Sequence, residues 1–164
     1  MKSISAALIL LASIAAPAAA MADAGPQPLG TFGDWTAASY GSGAGKACYA
    51  FTTAKTSSPA LKKRGAVMLT VTQRPSAHNE VTLSSGYTYP KNPTVTLTIG
   101  ANNIAFYTSG ATAFTANGAA AVAAFQAGST AAAKSSGPHA TSITDNFSLT
   151  GFSGAYSAIT KACP

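Results

Sequence analysis

The stretch Thr94-Val95-Thr96-Leu97-Thr98-Ile99-Gly100-Ala101-Asn102-Asn103-Ile104-Ala105-Phe106-Tyr107-Thr108 decides the fold class. Val95, Leu97 and Ile99 alternate with Thr94, Thr96 and Thr98. That period of two puts apolar side chains on one face of a strand and hydroxyls on the other. Gly100-Ala101-Asn102 then turns the chain, and Ile104 and Phe106 point inward again over 103–108, which predicts an antiparallel hairpin.

Working outward, residues 66–73 repeat the pattern: Val67, Leu69 and Val71 share one face, Met68, Thr70 and Thr72 the other. Pro75 ends that strand because it has no N–H for a ladder. A shorter strand is expected over 81–84. Upstream, 34–40 and 46–53 read as strands joined by the glycine-rich loop Gly41 to Gly45. Residues 55–65, with Ser57-Ser58-Pro59 and a cluster of charge, read as a loop. Downstream, Asn117 caps an alanine-rich helix over 119–127 that Gly128 stops. Strands are expected over 129–135 and 143–149, around a turn at Ser136-Gly137-Pro138. The end of the chain, 153–162, is helical by spacing: Phe152, Tyr156 and Ile159 share a face that Cys163 continues. Seven to nine short strands without alternating long helices predict a mainly all-β antiparallel sandwich carrying two short helices.

The N-terminus reads as a cleavable signal peptide over residues 1–22. Lys2 gives a positive start, Ile4 to Ala16 is almost wholly apolar, Pro17 breaks the run, and Ala20-Met21-Ala22 offers the cleavage motif. The apolar run is about 13 residues, short of the roughly 20 that span a bilayer. A cut before Asp23 leaves an extended lead-in, 23–30, and one domain, 31–164, with no Cys at its new N-terminus for lipid attachment and no other stretch fit for a membrane anchor.

Charge is scarce, 9% of residues against about 25% in an average chain, yet the net charge is +6. That excess favours anionic partners: an acidic glycan, a lipid surface, or an acidic protein. No aromatic-studded basic stripe accompanies it, so nucleic acid is not an expected partner. The densest cluster is Lys62-Lys63-Arg64, with Arg74 at the far end of the next strand. These four residues are the candidate interaction patch. Two cysteines, Cys48 and Cys163, form an even pair in an exported chain and argue for a disulfide. It would close a loop of roughly 115 residues, worth about 4–5 kcal/mol on the chain-entropy model.

Catalytic chemistry finds little to work with. The only histidines are His78 and His139, and the acids after residue 22 are Asp23, Asp34, Glu80 and Asp145. His78 and Glu80 fall in a turn after Pro75; with His139 they would make a thin hydrolytic or metal site, short of the three or four ligands plus supporting shell that a metal needs. No Gly-x-Ser-x-Gly elbow exposes a serine, and Gly41 to Gly45 lacks the ending of a phosphate loop. Trp35 reads as core and Asp34 as a backbone-capping acceptor. No catalytic residue, metal or cofactor is expected.

Several stretches in order carry a resemblance: Phe32-Gly33-Asp34-Trp35, Lys46-Ala47-Cys48-Tyr49, Lys63-Arg64-Gly65, Val67 to Thr72, Arg74-Pro75, Asn79-Glu80-Val81, Gly86-Tyr87, Thr96 to Gly100, Phe147-Ser148-Leu149, Gly151-Phe152-Ser153 and Ala162-Cys163-Pro164. Together they resemble the invasion-associated locus B family of exported alphaproteobacterial proteins. The resemblance implies an immunoglobulin-like β-sandwich with a Cys48–Cys163 disulfide, in the periplasm or at the outer surface, and brings no agreed catalytic residues. Gln73 departs from the family pattern, where His is often found. The function expected is that of a non-catalytic envelope protein acting through contact with an envelope or host-surface partner. The alternatives are a periplasmic hydrolase using His78, Glu80 and another group, or a periplasmic small-ligand or metal carrier, for which a pocket lined by aromatics such as Tyr87, Tyr89 and Tyr107 would speak.

Overall fold

A computed structural model describes residues 25–164. The segment read as a signal peptide, and the first residues of the expected lead-in, lie outside the described residues. Eleven strands pair antiparallel in one continuous sheet, and two helices cover its open side. The strands are β1 (Gln27–Phe32), β2 (Trp35–Tyr40), β3 (Ala47–Thr53), β4 (Thr56–Ser58), β5 (Met68–Arg74), β6 (Ala77–Ser84), β7 (Val95–Ile99), β8 (Asn102–Ser109), β9 (Thr112–Phe114), β10 (Thr130–Ser136) and β11 (Ser142–Ser148). The helices are α1 (Gly118–Ala127) and α2 (Phe152–Ala162).

The sheet folds over itself into a sandwich because two lengths of chain serve both halves. In β8, residues 102–106 pair with β7 and residues 107–109 with β9. At the other corner β3 pairs with β5, and after two residues β4 pairs with β11, held by the Lys55 N–H donating to Asn146 O at 2.7 Å. One half therefore runs β1-β2-β3-β5-β6-β9 and the other β8-β7-β10-β11-β4. Their inner faces share one core, including Leu69, Val71, Leu83, Leu97, Ile99, Phe147 and Ile159, each nearly or wholly excluded from water.

The hairpin β7–β8 forms as the alternation requires, with Val95, Leu97, Ile99, Ile104 and Phe106 buried and Thr96 and Thr98 facing outward. Asn117 caps α1, its Oδ1 accepting from Ala120 N at 3.2 Å. Helix α2 lies on β1, β2 and β3 and buries Phe152, Ala155 and Ile159. Trp35, fully buried, packs on Phe152 with ring centroids 4.8 Å apart and donates from Nε1 to Ser148 O at 3.0 Å. Gly151 enters α2 at φ 89°, and a Cβ there would sit 1.9 Å from Phe32 O, so the close approach of β1 to α2 requires glycine. The disulfide Cys48–Cys163 joins β3 to the residue after α2, with Cα atoms 5.8 Å apart.

Three strands lie where the pattern had not placed them. β1 starts within the segment read as lead-in, its register shifted between Pro28 and Gly30. β4 forms inside the expected 55–65 loop, and β9 is three residues long. Strand β6 begins at Ala77, so His78 and Glu80 stand on a strand rather than in a turn.

Candidate interaction surface

The four cations expected to form one patch do not stay together. Arg64 folds inward. Its Nη1 and Nη2 donate to Asp145 Oδ1 and Oδ2, both at 2.7 Å, and Nε donates to Ser85 O at 2.7 Å. The guanidinium also lies 5.1 Å from the centre of the Tyr87 ring. The side chains are 6% and 2% exposed, so Arg64 is an internal tie and not part of an interaction patch. The reason is geometric: Asp145 alternates onto the inner face of β11 between Ile143 and Phe147, and a buried carboxylate needs a charge-assisted partner. Ser57 Oγ donates to the same carboxylate at 2.6 Å, and this contact helps to hold β4 on the sheet.

Arg74 stands at the other end of β5, roughly 20 Å along the strand from Met68 at a rise of about 3.3 Å per residue. It pairs in solvent with Glu80 at 2.7 Å. Lys62 and Lys63 alone keep the expected position, exposed in the loop after β4.

The residues that a hydrolytic or metal site would need are each engaged elsewhere. Glu80 is on Arg74, Asp145 on Arg64, and His78 Nδ1 lies 3.2 Å from Gln73 Oε1. His139 sits in a single 3-10 turn between β10 and β11 at φ 56°. Among the described residues no three His, Cys, Asp or Glu side chains come together. The three tyrosines do not line one pocket either. Tyr87 and Tyr89 pack edge to face at 5.4 Å on the core, whereas Tyr107 is 61% exposed and stacks on Phe114. Burial raises the Tyr87 and Tyr89 phenols above their ordinary value, for Tyr89 strongly. The Tyr87 hydroxyl meets Ser135 Oγ at 2.9 Å. The Tyr89 hydroxyl, near Ser85, has no hydrogen-bond partner among the described residues.

Gln73, the residue that departs from the family pattern, has a structural role that its sequence position did not indicate. It is 1% exposed and fully engaged. Its Oε1 accepts from Asn79 N at 2.9 Å, and its Nε2 donates to Asn79 Oδ1 at 3.0 Å. Tyr156 OH on α2 donates to the same Asn79 oxygen at 2.7 Å. Asn79 itself sits at φ 57°, so the amide pins an irregular β5–β6 hairpin to α2. Its place beside Arg74-Pro75 fits the register shift between Thr72 and Arg74, where the β5–β6 pairing is bulged.

The model of the family described as Invasion associated locus B (IalB) protein matches residues 35–160. The chain belongs to that family. No curated protein sequence matches it. Among solved structures, it is similar to the crystal structure of invasion associated protein b from Bartonella henselae, at 18% identity and a TM-score of 0.55. The alignment covers 81% of this chain and 96% of that one, and at that identity the likeness speaks for the fold. The family match begins at Trp35 and takes in Cys48, Arg64, Gln73 and Asp145. The invasion associated locus B family is one of exported bacterial proteins, and no described helix of this member is long and apolar enough to cross a membrane.

Charge in this family member divides unevenly. Each of the three described acids is paired: Asp34 with Lys55, Glu80 with Arg74, Asp145 with Arg64. Lys46 is held on Ala162 O at 2.7 Å, at the C-terminus of α2. Lys62, Lys63, Lys91, Lys134 and Lys161 are exposed and make no ion pair among the described residues. Among the described residues the surface is therefore a polar field of Ser, Thr, Asn and Ala in which the side-chain charges without an ion-pair partner are all positive.

Proposed function

We infer that this is an exported, non-catalytic envelope protein that works by contact with an anionic partner in the periplasm or at the outer surface. The observation that carries the reading is the charge division: the described acids are all used in ion pairs while five lysines stand free in solvent. A surface of that kind draws anionic groups and repels cationic ones. Membership of a family named for invasion supports a partner in the envelope or on a host cell. Lys62 and Lys63, at the sheet edge beyond β4, form one contact point.

The test is binding of the purified protein to phosphatidylglycerol vesicles, to an acidic glycan and to their neutral counterparts. The reading expects retention on the anionic members of each pair and a several-fold loss in K62Q/K63Q, since exposed charge pairs contribute about 0.2–1 kcal/mol each. Equal retention on neutral and anionic surfaces would contradict it.

A further inference from the structure

The outer face of the half formed by β8, β7, β10, β11 and β4 carries two parallel rows of side chains set by the strand register. One row runs Asn103–Thr98–Ala132–Asn146–Thr56. It is satisfied at both ends: Thr98 Oγ1 donates to Asn103 Oδ1 at 2.7 Å, and Asn146 Nδ2 donates to Thr56 Oγ1 at 3.0 Å. The next row runs Ala105–Thr96–Lys134–Thr144–Ser58. There Thr96, Lys134, Thr144 and Ser58 make no side-chain hydrogen bond among the described residues, so its donors and acceptors point unused to solvent.

Lys134 is the unusual member. Lysines on strands ordinarily guard an exposed sheet edge, but β10 is paired on both sides, with β7 and β11. Nor is it balanced by an acid across the strand, the usual stabilising arrangement: its neighbours in register are Thr96 and Thr144. The adjacent acid in sequence on β11, Asp145, points to the opposite face and is taken by Arg64. Beside Lys134 lies a shallow depression of about 210 Å³ lined by Thr94, Thr96, Lys134, Ser135, Ser136 and Ser142. One ammonium and several hydroxyls thus meet in one concavity of this face.

We propose that this face binds an acidic polysaccharide, with Lys134 taking a carboxylate and the open hydroxyl row taking sugar hydroxyls along the chain. Charge complementarity selects the anion, and the hydroxyls of Thr96, Thr144 and Ser58, each both donor and acceptor, match the same groups on a sugar. A protein partner would call for apolar or aromatic anchors at the centre of the face, and a membrane for an apolar surface to insert; the centre of this face offers only Ala105 and Ala132, and the exposed Tyr107 lies at its β8 margin, stacked on Phe114. The proposal rests on the reading that an anionic partner is bound, and it names the site and chemistry.

The experiment titrates the full purified protein with alginate, a uronate polymer, with dextran as the neutral control and phosphatidylglycerol vesicles as the other anionic source. Amide chemical shifts report the location. Alginate is expected to bind and dextran not, with shifts concentrated on β7, β10 and β11. K134Q should weaken alginate binding by about two- to fivefold, and T96V, which keeps the β-branched shape and removes the hydroxyl, by a smaller factor. Unchanged thermal midpoints would show that both variants fold. If alginate or vesicles bind but K134Q and T96V bind as well as the wild type, or only K62Q/K63Q loses binding, the face is not the site while the anionic-partner reading stands. If no anionic probe is held at low salt, both fall.

Discussion

Arg64 and Asp145 meet through two parallel hydrogen bonds of 2.7 Å, 81 residues apart in sequence and almost sealed from water. The pair ties the loop after β4 to the inner face of β11, and Ser57 and Tyr87 complete its surroundings. Leaving either charge buried alone is costly, so D145N is expected to lower unfolding stability by about 3–5 kcal/mol. The double variant R64M/D145L should recover most of that loss, because a buried ion pair contributes little beyond an apolar pair of similar volume. Urea midpoints of the three proteins check both statements.

The Cys48–Cys163 bridge and the Lys46 contact with Ala162 O act on the same end of α2. C48S/C163S is expected to destabilise the protein by about 2–5 kcal/mol. Because α2 packs against Trp35 through Phe152, a shift in tryptophan emission under mild denaturant should precede the main transition in the variant and be missing in the disulfide form.

Among the described residues the buried Tyr89 hydroxyl makes no hydrogen bond of good geometry, only a weak contact with Ser85. Y89F removes that unpaired group without changing the ring, and should raise stability by about 1 kcal/mol. Burial raises the Tyr89 phenol above its usual 10.0. A raised folded value means that the contribution is whole below the unfolded value of 10.0 and is lost as pH climbs through the higher folded value. Y89F should accordingly blunt alkaline unfolding and remove the latest step in the phenolate absorbance titration.

Asp34 behaves in the opposite sense. Hydrogen bonds from Lys55 and then Ser148 hold its carboxyl below the ordinary 3.8. Its contribution is present above the unfolded value of 3.8 and disappears as pH falls through the lower folded value. D34N should therefore flatten the acid limb of stability between neutral pH and pH 3, with little effect on the alkaline side. Thermal midpoints across that range would show it.

How much of this was legible in sequence varied with the range of the interaction. Val95 to Phe106 declares its hairpin because alternation is local, and Asn117 and Gly128 bound α1 for the same reason. β4 and β9 are three residues each and are held by backbone pairing, so no alternation can build up. β1 is bulged at Pro28–Gly30, and the first half of β6 is mostly exposed, which made it look like a turn. The placement of the clustered cations was half legible. Lys62 and Lys63 stayed where their charge suggested, but Arg64 looked the same as its neighbours until Asp145 came beside it through the fold. Lys134 gave no local sign, since only register reveals that it faces Thr96 and Thr144 without an acid.

Free lysines on a surface whose described acids are all paired should hold an anionic partner in a salt-dependent way. The dissociation constant of the purified protein for a uronate polymer, measured as salt is raised from low to physiological concentration, checks this. Contacts made by exposed charges weaken as the screening length shortens to about 8 Å near 0.15 M. The account predicts measurable binding at low salt that weakens steadily with ionic strength and is reduced throughout in K62Q/K63Q and K134Q. Binding that ignores both salt and these substitutions, or no binding at low salt, would contradict it.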